Sequence, residues 1–214
     1  MLTYKSQLYD LNVAIKNYMD DMEEYLNFIY PIFKITKDAT VLEVGPGSGW
    51  HTDMILNYNP KELVCVEPDL IREHHLTDHF NETTFVDADI FDYLKDPIEP
   101  VDVVVACGVL YHFHSPFHFL EVVVNNANPK HLILESVIEE ESINLNIENV
   151  NEQAQRIVKN NYKHVKMCFV AGSKHIIQAM ADLGYTLVEH CNYNEAHKHK
   201  AKLCIMHFER IDNE

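Results

Sequence analysis

The chain has 214 residues, enough for one domain with a sizeable buried core, and its 47% hydrophobic content is that of an ordinary globular protein. Its formal charge is −16, from 33 acids against 17 bases. A field of that sign repels phosphate backbones, so nucleic acid is disfavoured and a neutral or cationic substrate fits better, although the same charge also serves plain solubility.

No early apolar run is long enough for a signal peptide or a membrane span, and the opening MLTYKSQLYD is polar. The expectation is a cytoplasmic protein with no membrane partner. The five cysteines (Cys65, Cys107, Cys168, Cys191 and Cys204) are odd in number and form no C-x-x-C pair. They read as reduced, mostly buried thiols.

Leu11, Ala14, Tyr18, Met22, Tyr25, Leu26 and Ile29 recur at three- and four-residue spacing, which predicts an amphipathic helix ending near Pro31. Short apolar runs then alternate with helical stretches: Thr40 to Val44, Glu62 to Val66, Thr84 to Ala88, Val101 to Ala106 and His131 to Ser136. They are rich in Val, Ile and Leu without clean alternation, as strands buried on both faces should be. Strands alternating with helices imply parallel βαβ units. Ser115-Pro116 opens one helix, and another runs from Ser173 to its stop at Gly184. The last two strands, near Tyr185 to Cys191 and Lys202 to Glu209, are joined by too few residues for a helical crossover, so they pair antiparallel. The polar stretch Glu139 to Lys166 reads as helical after Asn151, a lid or an inserted substrate element spanning residues 139–170. With no repeat or low-complexity linker, residues 1–214 read as a single domain, its N-terminal helical segment covering residues 1–35.

Chemistry gathers where strands end. Val41-Leu42-Glu43-Val44-Gly45-Pro46-Gly47-Ser48-Gly49 is a buried strand, a glycine-rich turn and a helix start. Glycines there permit positive φ and close approach of a ligand to the backbone. The spacing is G-x-G-x-G rather than the G-x-G-x-x-G of dinucleotide binders, and Glu43 stands two residues before the first glycine. A helix start that binds pyrophosphate favours negative charge, whereas an acid in this turn suits an ammonium or sulfonium ligand. The alternative is a tight turn with no ligand. Glu67, before Pro68, ends the next strand 22 positions after Gly45, where an acid accepts both ribose hydroxyls. In Asp87-Ala88-Asp89-Ile90-Phe91, Asp89 is the first choice and Asp87 the second to accept from an exocyclic amine, with Ile90 or Phe91 packing on the ring face. Either acid is alternatively a helix cap. Finally, Cys107-Gly108-Val109-Leu110-Tyr111-His112-Phe113-His114 presents Tyr111, His112 and His114 at the same sheet edge as the glycine turn.

These four segments, in this order and spacing, resemble the class I methyltransferase superfamily over roughly Ala39 to Glu209. The resemblance implies S-adenosylmethionine as cofactor, a three-layer Rossmann-like α/β fold, and a mostly parallel seven-stranded sheet with a reversed last strand. It assigns Glu43, Gly45, Pro46, Gly47 and Gly49 to the first motif, Glu67 and Pro68 to the ribose side, Asp87, Asp89 and Ile90 to the adenine side, and Cys107 to His112 to the fourth motif. It also implies that the N-terminal helix packs over the cofactor cleft. The string Gly108-Val109-Leu110-Tyr111-His112 is similar to a form found in small-molecule methyltransferases and in some wobble-uridine tRNA-modifying members. A D/N-P-P-Y type tetrad is missing from the sequence, which disfavours the amino-nucleobase and glutamine methylating branches.

A methyl transfer needs alignment and, for an oxygen or nitrogen acceptor, a base. His112 and His114 are the candidates, with Tyr111 beside them, because histidine titrates near neutral pH. Alternatively His112 packs behind the loop and His114 is solvated. His51 either touches the cofactor's carboxylate or caps its helix. His112, His114 and His118 make no recognisable metal set, so no metal is expected. The reading is a methyltransferase acting on oxygen or nitrogen of a small molecule. Its alternatives are a tRNA-modifying enzyme, a non-catalytic cofactor-binding module, and, against the glycine spacing, a nicotinamide oxidoreductase.

Overall fold

The structure, a computed structural model, describes residues 27, 29–68, 76–137, 143–144, 169–192 and 203–211. Most of the expected N-terminal helix, Cys168 and most of the 139–170 stretch lie outside the described residues. Asn27 and Ile29 are helical and run into a 3-10 helix, Tyr30–Thr36, with Pro31 in its first turn.

The strands are β1 (Thr40–Val44), β2 (Glu62–Val66), β3 (Thr84–Val86), β4 (Val103–Cys107), β5 (His131–Val137), β6 (Ile143–Asn144), β7 (Phe169–Val170), β8 (Tyr185–Asn192) and β9 (Leu203–Arg210). Seven of them form one sheet in the order β3-β2-β1-β4-β5-β9-β8, while β6 and β7 pair as a separate antiparallel ribbon. The pairs from β3 to β5 are parallel, and β9 runs antiparallel to both β5 and β8. The expected terminal pairing is therefore found, with the last strand inserted between its predecessor and β5. The helices are α1 (Trp50–Leu56), α2 (Leu76–His79), α3 (Ile90–Tyr93), α4 (Pro116–Ala127) and α5 (Ser173–Asp182). None of the described helices is long and apolar enough to cross a membrane.

Two boundaries differ from the sequence reading, each because of a backbone bond. Ala88 N–H turns back onto Val86 O, so β3 stops two residues early. Val101 N–H goes to Ala127 O, so β4 begins two residues late and takes in Cys107. Between them Asp102 clamps the amino edge: its Oδ2 accepts from both the N–H and the hydroxyl of Thr40, each at 2.8 Å. These bonds hold the Asp102 carboxyl below its usual range.

Alternation along the strands makes two cores. Val41, Cys65, Val103, Val105, Cys107, Ile133 and Ile205 pack with Phe33 of the 3-10 helix and Met54 and Ile55 of α1. Leu42, Val44, Val104, Ala106, Leu132 and Leu134 pack on the other face with α4 and α5. Strand order reverses between β1 and β4, and ligands of open α/β sheets bind beyond the carboxyl ends of the strands at that point.

Candidate functional site

The turn after β1 is built from three left-handed glycines: Gly45 at φ 71°, Gly47 at 54° and Gly49 at 88°. They are not equivalent. A Cβ on Gly45 would fall 2.2 Å from Val109 Cγ1, and one on Gly49 would fall 2.7 Å from Phe80. A Cβ on Gly47 would meet nothing within 4 Å. Gly45 and Gly49 hold the turn against the loop after β4 and against α2. Gly47 alone opens onto free space. Pro46 is buried beneath it.

Glu67, just past β2, accepts from the Gly47 N–H through Oε2 at 2.7 Å. One oxygen of this acid thus accepts one backbone bond, which leaves a further lone pair on it and both lone pairs of Oε1. Burial pushes its carboxyl up to about 7, and the Gly47 bond opposes that rise. Pro68, after it, is exposed.

Glu43 is 1% exposed and lies under α1 rather than out in the turn. Its Oε2 accepts from the Thr52 hydroxyl at 2.7 Å and from the Cys65 thiol at 3.1 Å, while Oε1 is buried with no partner among the described residues. Burial raises its carboxyl to about 7, the Thr52 and Cys65 bonds lower it, and nearby Glu67 raises it further. The Cys65 and Cys107 thiols are pushed well above their ordinary range by burial and are neutral. Cys107, at the end of β4, therefore offers its backbone rather than a reactive sulfur. Cys65, Cys107 and Cys204 are buried and form no disulfide among the described residues.

On the adenine side the two acids separate. Asp89 caps α3, its Oδ1 accepting from Phe91 N–H at 2.8 Å. Asp87 is exposed beyond the end of β3. Ile90 is 4% exposed and belongs to the core with Leu42, Val44 and Val66. Phe91 is half-buried and in ring contact with Phe113 and His118.

The loop after β4 carries the 3-10 helix Leu110–His112. Tyr111 and His112 are half-buried with ring centroids 4.4 Å apart, whereas His114 is exposed. His118 is also exposed and lies 3.6 Å from Glu121. Among the described residues no group of three or more His, Cys, Asp or Glu is arranged to hold a metal. His51 stacks on Phe33 with centroids 5.9 Å apart, and its buried Nε2 has no partner among the described residues. Burial lowers its pKa to about 4, so it is neutral at physiological pH and neither a cationic clamp nor the helix cap, which is Gly49.

Two residues escaped the sequence reading. Thr52 was hidden in a helix. Glu135 is 5% exposed near the carboxyl end of β5, in register with Cys107, and burial raises it to about 7 against a bond from Gly108 N–H. An acid closing the apolar run Leu132-Ile133-Leu134 was the available signal, the same kind that marked Glu67.

The fold resembles magnesium protoporphyrin IX methyltransferase from Synechocystis, solved with bound S-adenosylmethionine, at TM-score 0.64 and 13% identity, covering 96% of this chain and 88% of that one. In sequence, the chain is 30% identical over 114 residues to an uncharacterized methyltransferase of Schizosaccharomyces pombe, covering 53% of this chain and 43% of the relative. It is 32% identical over 116 residues to the tRNA U34 carboxymethyltransferase of Pseudoalteromonas atlantica, covering 52% of this chain and 36% of the relative. The matched stretch is less than half of each relative's length. The methyltransferase-domain family model matches residues 16–190, and the chain belongs to that family.

Proposed function

We propose that the chain is an S-adenosylmethionine-dependent methyltransferase that methylates an oxygen or nitrogen of a small molecule. The observation that carries the cofactor is the open face of Gly47, bonded to Glu67 beside the orphaned Oε1 of Glu43. Those groups fit it: a left-handed glycine admits a ligand against backbone, and acids suit a ligand whose methionyl part carries an ammonium and whose sulfur is a sulfonium.

When bound, S-adenosylmethionine supplies a methyl group activated on a sulfonium. Glu67 would accept both ribose hydroxyls, Oε2 keeping a lone pair beyond its Gly47 bond. Asp87 accepts from the adenine amine, and Phe91 lends its ring. Gly45, Gly47 and Gly49 set the path of the backbone, while Cys107 contributes main-chain polar groups at the end of β4. Tyr111 and His112 line the acceptor side, and exposed His114 stands outside it. Holding donor and acceptor in line supplies up to about 7–11 kcal/mol of barrier reduction in well-oriented cases.

The charge of −16 supports a small neutral or cationic acceptor. A second reading, methylation of tRNA, is supported by the similarity to the U34 carboxymethyltransferase. One experiment separates them: calorimetric titration with S-adenosylmethionine, then transfer of labelled methyl to small amines, phenols and total tRNA. Label in an amine or phenol supports the first reading. Label in tRNA alone, with salt-sensitive binding, replaces it with the second.

A further inference from the structure

Glu43 and Glu135 project from the α1 face of the sheet near its carboxyl edge. Glu43 is two residues beyond Val41 and Glu135 two beyond Ile133, and both valine and isoleucine belong to that face's core. Cys107, on β4 between them, feels both charges. Their surroundings differ. Glu43 is fastened to Thr52 and Cys65 at the glycine turn, whereas Glu135 lies two strands away, at the loop carrying Tyr111 and His112. There Gly108, at φ 73°, leaves a gap: a Cβ on it would stand 3.4 Å from the Tyr111 hydroxyl and 3.7 Å from Glu135 Oε2. Tyr111 Oη and the Glu135 carboxylate thus converge on one point above the end of β4. The buried Oε1 of Glu43, which has no partner among the described residues, is an independent sign that a donor-bearing ligand completes this row of acids.

We infer that the Glu135 carboxylate, converging with the Tyr111 hydroxyl over Gly108, faces the transferring methyl group and takes the proton of an N–H or O–H acceptor. The inference rests on the reading of such an acceptor given above. On transfer the acceptor heteroatom gains a bond to carbon as the sulfur–carbon bond breaks, and the acceptor's proton passes to Glu135. A buried carboxyl held near 7 suits that exchange at neutral pH. The titratable groups facing it among the described residues are Cys107 and Tyr111, with Glu43 beyond Cys107. Cys107 is neutral, but Glu43 and Glu67 also stand near 7, so the comparison with Glu135→Gln isolates this carboxylate's share. His112 is then an orienting neighbour of Tyr111 rather than the base.

The test needs no acceptor. Sinefungin carries an ammonium-bearing carbon where S-adenosylmethionine carries its methyl sulfonium, and S-adenosylhomocysteine has no charge there. Calorimetry gives the affinity of each for the wild type and for Glu135→Gln at pH 6, 7 and 8. In the wild type the preference for sinefungin over S-adenosylhomocysteine rises several-fold across that range as Glu135 ionises. In Glu135→Gln the preference falls about tenfold at pH 8 and loses most of its pH dependence, while S-adenosylhomocysteine affinity stays within about threefold, which also reports an intact fold. An equal preference in both proteins at pH 8, or a flat preference in the wild type, overturns the inference. Neither outcome depends on whether the acceptor is a small molecule or tRNA, so the acceptor screen can fail while this stands, and the reverse.

Discussion

The Gly47 N–H donates to Glu67 Oε2 at 2.7 Å, tying the open turn after β1 to the residue that ends β2. Two segments recognised separately in the sequence are thus one device: the turn presents its backbone, and the acid is held by that backbone. Removing the carboxylate costs a charge-assisted bond as well as a ligand contact. Glu67→Ala is expected to lower S-adenosylmethionine affinity by tenfold or more and to cost about 1 kcal/mol of stability. Calorimetry and urea unfolding on the same preparation check both; unchanged affinity would remove Glu67 from the site.

The three glycines make a sharper set. All have positive φ, where an alanine costs about 1–2 kcal/mol. Gly45→Ala and Gly49→Ala add collisions with Val109 and Phe80, so each is expected to lose roughly 2 kcal/mol or more. Gly47→Ala has no such collision and is expected to lose about 1 kcal/mol, yet to weaken cofactor binding the most per unit of stability lost. Equal affinity losses scaled to stability in all three variants would mean that the turn serves the fold alone.

The two acids after β3 divide in the same way. Asp89→Ala removes a helix cap and is expected to cost about 1 kcal/mol, with cofactor affinity within threefold of wild type. Asp87→Ala is expected to change stability by less than about 0.5 kcal/mol and to lower affinity about tenfold. The reverse pattern in paired unfolding and binding measurements would restore Asp89 as the adenine acid.

What the sequence revealed follows from where strong local rules apply. Glycines that must be left-handed, and acids that close apolar strands, are visible one segment at a time, so Glu43, Gly47 and Glu67 were legible. So was the antiparallel end of the sheet, because the short link between β8 and β9 forbids a helical crossover. Pairing across the sheet is not local. That Glu135 stands opposite Cys107 is a fact of register between β4 and β5. That Thr52 reaches Glu43 depends on how α1 packs on β1. The burial of Ile90 was not legible either, because α3 has only four residues, too few to display a helical period that tells core from surface.

Glu43 gives the last prediction, in which the sign can be worked out. Its folded-state carboxyl stands at about 7 against a reference value of 4.5, so the folded protein holds this proton more tightly than the unfolded chain does. The stability it contributes is full below about pH 4.5 and is lost as pH rises through 7. Glu43→Gln lacks the titration. Moving from pH 4.5 to pH 7.5, the variant should therefore gain on the wild type by on the order of 2 kcal/mol. The buried histidines His51, His131 and His207, whose lowered pKa values drive stability the opposite way, are common to both proteins and cancel in the difference. Thr52→Val supplies the converse. The Thr52 bond favours the ionised carboxyl, so its loss, about 1–3 kcal/mol overall, should bite harder at pH 8 than at pH 5. Urea unfolding of the three proteins across pH measures both slopes; parallel curves would mean that Glu43 carries an ordinary carboxyl pKa despite its burial.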